Sequence, residues 1–161
     1  MKVSGDSPSS LLPPSIVADA RGNVYLAWQQ ARRWCGVDLY FAGRTAGGVW
    51  GGVTQITPNP TGLLLGGLSI LADARGALHA LWQKDLGDLV ELYAASCGPA
   101  CGLPVEEASV WGTAVSLGPD PDPRRAPAAR IQVDRRGSVC VAWPDATGQA
   151  GCLPLSPAPV Q

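Results

Sequence analysis

Apolar and polar positions recur along this chain in one arrangement, three times over. Residues 15–30 read SIVADARGNVYLAWQQ, residues 69–84 read SILADARGALHALWQK, and residues 130–145 read RIQVDRRGSVCVAWPD. Each copy has a short apolar run, then Asp-x-x-Gly, then a second apolar run that closes on Trp. The anchors are Asp19, Gly22 and Trp28; Asp73, Gly76 and Trp82; and Asp134, Gly137 and Trp143. Short runs of Val, Ile, Leu and Trp bounded by Asp and Gly are the pattern of strands rather than helices. The Asp-x-x-Gly between them predicts a tight turn, in which the carboxylate accepts from backbone N–H groups and Gly takes positive φ. The second run is apolar at successive positions, so the strand it forms must be covered on both faces.

The pattern continues past each Trp. In the first copy a polar loop, 29–36, leads to a third strand over 37–42, a turn at 43–48 and a fourth strand over 49–57. The second copy predicts strands over 68–72, 77–82, 89–95 and 110–117, with an insertion at 97–109. Tyr40 and Tyr93 share a place in the third strands, and Trp50 and Trp111 open the fourth. The third copy predicts strands over 129–133 and 138–143, then a segment near 152–156 that Pro154 and Pro157 restrict to a sheet edge. The units thus run over 15–57, 68–118 and 128–156 of one domain. Lys2-Val3-Ser4-Gly5 and the Pro/Ser stretch after it match Ala114-Val115-Ser116-Leu117 and its Pro/Asp stretch. The expectation is that residues 2–5 form the last strand of a unit, and that the third unit lacks its own.

Composition changes this picture little. A chain of 161 residues suits one domain, and 20 Gly and 15 Pro, spread out, fit many turns. Twelve Lys and Arg balance 13 Asp and Glu, which leaves no basic footprint for nucleic acid or an anionic membrane. No apolar run approaches the ~20 residues of a membrane helix. The N-terminus MKVSGDSPSS has no apolar core of a secretory signal, though a chain whose signal had been removed would look the same; the sequence assigns no compartment. The five cysteines are an odd number. Cys97 and Cys101 suit a disulfide closing the insertion or two free thiols; a metal knuckle would need a second ligand pair, and none has the right spacing. Cys140 and Cys152 fall on neighbouring strands and can pair, leaving Cys35 free. No cofactor is implied.

Four-stranded units of this length with both faces apolar are the sequence mark of β-propeller blades. The order Asp-x-x-Gly, strand ending in Trp, strand containing Tyr, Trp opening the outer strand resembles sialidase-type propellers with BNR or Asp-box repeats. That family's box reads Ser-x-Asp-x-Gly-x-Thr-Trp. Residues 43–50, GRTAGGVW, keep its register with Gly47 and Trp50, but carry Gly43, Thr45 and Val49 where the box has Ser, Asp and Thr. The second unit retains only Trp111. The resemblance implies an all-β fold of four-stranded antiparallel blades, about three to the chain where the family closes a ring of six. Three open blades would leave apolar faces and strand edges uncovered. A homodimer that closes one six-bladed ring, with residues 2–5 completing the partner's third blade, is the expected remedy; a piece of a longer propeller is the other reading.

Candidate chemistry is sparse. Asp19, Asp73 and Asp134 occupy equivalent turns and cannot converge on one site. His79, the one histidine, stands where Tyr25 and Cys140 stand and reads as a strand residue. Trp28, Trp82, Trp143, Trp50 and Trp111 read as blade packing. Trp34 has no counterpart. In a ring of such blades the loop after the second strand and the link between blades share one face, which gathers Arg32, Arg33, Trp34, Lys84, Asp85, Asp88, Asp120, Asp122, Arg124, Arg125 and Asp145. In sialidase-like propellers that is the ligand face. A solvated rim is the plain reading; the sharper one is a carbohydrate-binding face, with Arg for carboxylates and Trp for stacking. The resemblance also implies an arginine triad, a Tyr–Glu pair and an acidic catalyst. No Arg sits in an Arg-Ile-Pro setting, and Glu106-Glu107 falls on the opposite face. No carboxylate pair suits glycosidic hydrolysis. The sequence supports the scaffold and a non-catalytic binding or assembly module; the alternative is a divergent or degenerate exo-sialidase-like glycoside hydrolase.

Overall fold

The computed structural model describes residues 13–31, 37–57, 63–106, 110–120, 129–134, 138–144 and 150–154. All regular structure among them is strand, in three antiparallel sheets. Sheet I holds β1 (Ser15–Ala18), β2 (Val24–Ala31), β3 (Val37–Arg44) and β4 (Thr54–Thr57) in chain order. Sheet II repeats that order with β5 (Leu63–Ala72), β6 (Leu78–Asp85), β7 (Val90–Cys97) and β8 (Val115–Pro119). Sheet III has β9 (Arg130–Val133), β10 (Val139–Pro144) and β11 (Ala150–Pro154). Residues 2–5 lie outside the described residues, as do Cys35 and Gly137.

The Asp-x-x-Gly turns form as their chemistry dictates. Asp19 Oδ1 accepts from the N–H groups of Arg21 and Asn23, both at 2.9 Å. Asp73 Oδ1 does the same for Arg75 and Ala77, and Asp134 Oδ1 accepts from Ser138 N–H. Gly22 and Gly76 take φ of +81° and +83°, which only Gly adopts without strain.

Each sheet has a front face toward the preceding sheet and a back face toward the following one. The back of sheet I (Tyr25, Ala27, Leu39, Phe41) packs on the front of sheet II (Ile70, Leu78, Ala80, Trp82). The back of sheet II (Leu71, Leu81, Leu92, Ala94) packs on the front of sheet III (Ile131, Val139, Val141). Strand β6 lies in the middle, and every residue from Leu78 to Gln83 is buried. That is why its sequence shows no alternation. The two contacts use the same repeat positions, so one operation relates sheet I to II and II to III. The inner strands follow suit, β1 against β5 and β5 against β9.

Several sequence-based boundaries shift. Strand β2 runs on to Ala31, so Gln29 and Gln30 pair with Leu39 and Asp38 rather than forming a loop. Strand β5 begins at Leu63 instead of 68, with a register break between Leu65 and Ser69 at the Gly66-Gly67 pair. The fourth strands start late. Trp50 and Trp111 make isolated bridges to Arg44 and Cys97, and Gly51-Gly52 and Gly112 separate them from β4 and β8. The outer strands carry one extra residue each, Ile56 in β4 opposite the Leu39–Tyr40 step and Leu117 in β8 opposite the Leu92–Tyr93 step. A β-bulge at one repeat position in both sheets is a built feature that bends the outer strand.

Residues 97–106 of the insertion fold back on sheet I. Cys97 and Cys101 form a disulfide with Cα atoms 6.0 Å apart, and Cys101 and Leu103 join the core between sheets I and II. Cys140 is disulfide-bonded too, to a partner outside the described side chains. A Cβ at Gly43 would meet the Gly102 carbonyl oxygen at 3.0 Å, and one at Gly51 would overlap that oxygen. The backbone of the neighbouring unit passes over Gly43 and leaves little room for a side chain there.

Candidate binding groove

A groove of about 550 Å³ opens between β4 and the front face of sheet II. Trp82, Lys84, Tyr93 and Trp111 form one wall, and Thr54 and Gln55 the other. The pairing of Trp82 with Tyr93 across β6 and β7 brings their rings into a stack, 6.2 Å between centroids and 20° between planes. Lys84, two residues on and hence on the same face, sets Nζ 5.5 Å from the Tyr93 ring centroid, within cation–π range. Trp111 meets Phe41 edge-on at 5.3 Å. Its Nε1 is buried without a hydrogen-bond partner. Glu91 accepts from the Tyr93 hydroxyl and, with burial, pushes its pKa above the ordinary 10.0; the phenol stays protonated.

The aromatic floor is part of the repeat. Trp28 stacks on Tyr40 in sheet I at 6.0 Å and 23°, and Trp28 Nε1 is also buried without a partner. What sheet II adds is a cation, since Lys84 replaces Gln30.

Of the face nominated from the sequence, Lys84, Asp85, Asp88 and Asp120 are described, and Arg32, Arg33, Trp34, Arg124, Arg125, Asp122 and Asp145 lie outside the described residues. Lys84 belongs to the end of β6 and turns into the groove. Asp85 Oδ1 accepts from Gly87 N–H at 2.7 Å in the β6–β7 turn, beside the exposed Asp88. Asp120 is no rim residue. It is 6% exposed, and its carboxylate accepts a hydrogen bond from Gln83 Nε2. Gln29, at the same repeat position as Gln83, is buried with neither amide atom bonded.

One constellation escaped sequence reasoning. His79 Nδ1 lies 2.8 Å from Ser96 Oγ, and Nε2 lies 3.4 Å from Asp73 Oδ2. These are the residue types of a nucleophilic triad, but the repeat argues against that role. In sheet I the Tyr25 hydroxyl donates to Asp19 Oδ2 at 3.0 Å, so the same strand position braces the same turn with different chemistry. His79 is 7% exposed, and the Asp73 carboxylate is already bound to its turn. The signal was there in the repeat alignment of Tyr25 with His79; the pairing of β6 with β7 that sets His79 opposite Ser96 was not. Among the described residues no cluster of His, Cys, Asp and Glu could hold a metal ion, and no helix is long and apolar enough to cross a membrane.

No family model matches this chain, and no curated protein is significantly similar to it.

Proposed function

We propose that this chain is a non-catalytic binding and assembly module of the β-propeller type, in which half-rings of three blades self-associate into a closed ring of six. Its aromatic groove is suited to carbohydrate. The observation that carries the reading is the repeated front-to-back stacking of the sheets, with β1, β5 and β9 following one another as inner strands. A stack built by one repeated operation closes into a ring where the rotation per sheet divides the circle, and the ring of six is the closed form of this reading. The turn at residues 43–50 also fits a degenerate Asp-box blade. Thr45, in the box's Asp position, accepts from Val49 N–H at 3.1 Å through Oγ1.

The ligand reading rests on stacking. Saccharide C–H faces pack on aromatic rings such as the half-buried Tyr93 and Trp111, and Lys84 supplies a donor at the edge of such a face. Catalysis has no comparable support, because each described repeat Asp is committed to its own turn.

Light scattering should give a particle of twice the 16.6 kDa chain mass. A monomer at all concentrations would sink the assembly reading. A glycan panel probed with the wild type and Trp111→Ala tests the ligand. Binding by the wild type that drops about tenfold or more in the variant is the expected result, in line with the ~1–3 kcal/mol carried by a stacked aromatic ring. A wild type that binds no glycan at all rejects it.

A further inference from the structure

We infer that the front edge of β1, centred on Ile16, is the docking surface for β9 of a second copy of this chain. The inference rests on the self-association reading above and names the surfaces that carry it.

Ile16, Ile70 and Ile131 hold the same repeat position, and all three lie on the front faces of their inner strands. Ile70 and Ile131 are each 7% exposed, whereas Ile16 is 67% exposed. The difference comes from what precedes each strand. Ile70 is covered by the back of sheet I, where Val17 packs into the shared core. Ile131 is covered by the back of sheet II, where Leu71 does the same. Val17 and Leu71 are themselves repeat-equivalent. The third member of that series is Gln132, exposed on the back of β9. Among the described sheets the stack therefore runs from Ile16 on one side to Gln132 on the other. The contact order β1 to β5 to β9 continues with β9 of one copy against β1 of the next; this contact is confined to the inner strands, since Trp28 and Ala42 on the front of sheet I and Cys140 and Ala142 on the back of sheet III are already buried in the single chain. Leu26, paired with Ile16 across the sheet and half-buried, widens the apolar strip. Gln132 in place of Val17 or Leu71 makes this contact more polar than the two internal ones, which suits a junction that must also exist uncovered.

The test is sedimentation equilibrium of the full chain and two variants, Ile16→Arg and Gln132→Arg. Both positions are exposed, and circular dichroism checks that each variant keeps its β spectrum. Either substitution should weaken self-association by roughly tenfold or more, from the loss of one buried aliphatic contact or the burial of an unpaired charge. Dimers with wild-type dissociation constants in both variants would overturn these surfaces while leaving self-association standing. Loss in Ile16→Arg alone would show that the surface is right and β9 is not its occupant. A monomeric wild type would remove the underlying reading as well.

Discussion

Tyr25 and His79 hold the same place in β2 and β6, and each reaches back to the Asp of its own turn. The consequence differs because the groups differ. Burial, and then the Asp19 carboxylate beside it, push the Tyr25 phenol from 10.0 to about 12. For Asp19, burial works upward, but hydrogen bonds from Asn23, Tyr25 and Arg21 outweigh it and hold the carboxyl below 3.8. A phenol whose folded pKa exceeds its unfolded value contributes stability that is complete below pH 10 and lost as pH rises toward 12. The Asp19 contribution has the opposite sense: it is present above the ordinary carboxylate range and lost as pH falls through its lowered pKa. In an ultraviolet titration of the native chain, the most alkaline phenolate component should have a midpoint near 12. Tyr25→Phe should delete it and destabilise the fold by about 1.5–3 kcal/mol, the net worth of a hydrogen bond to a charged acceptor. Complete phenolate formation by pH 11 in the native protein would contradict the Asp19–Tyr25 bond. The turn role of Asp19 was legible in its spacing to Gly22. The partners of its second oxygen were not, because they depend on where β2 carries its side chains.

At the scale of elements, the insertion between β7 and β8 shows how one unit's loop sets another unit's sequence. Gly51 must be Gly because the Gly102 backbone lies where its Cβ would stand, whereas a Cβ at Gly52 meets nothing within 4 Å. Gly51→Ala should therefore destabilise the chain by about 1–3 kcal/mol, since backbone cannot yield as a side-chain tip does. Gly52→Ala should change little. Thermal melts of the pair check this; equal midpoints would mean that the insertion does not pack on sheet I. The late start of β4 and β8 belongs to this scale as well. Trp50 and Trp111 carry the β-forming signal, but glycines follow both. The ladder resumes only beyond them.

For the whole molecule, the three described sheets stack in one sense, with Ile16 on the front of the first and Gln132 on the back of the last. Ile16 is the exposed member of a set whose other two members are core. Association that covers it adds stability by mass action, so the melting temperature should rise with protein concentration. A midpoint constant over a hundredfold range of concentration would argue that no copy binds there. The Ile16→Arg variant should have lost the dependence.

The repeat alone determined the strand order, the turns, the need to cover β6 on both faces and the equivalence of the three tryptophans. Those follow from local chemistry: Asp and Gly spacing, β-branched content and an apolar run with no polar side. Tertiary structure decided what depends on residues distant in sequence. It placed Lys84 in an aromatic groove, buried Asp120 against Gln83, set Ser96 beside His79 and laid Gly102 over Gly51. It also separated Ile16 from Ile70 and Ile131, which read alike in sequence and differ only in whether a sheet lies in front of them.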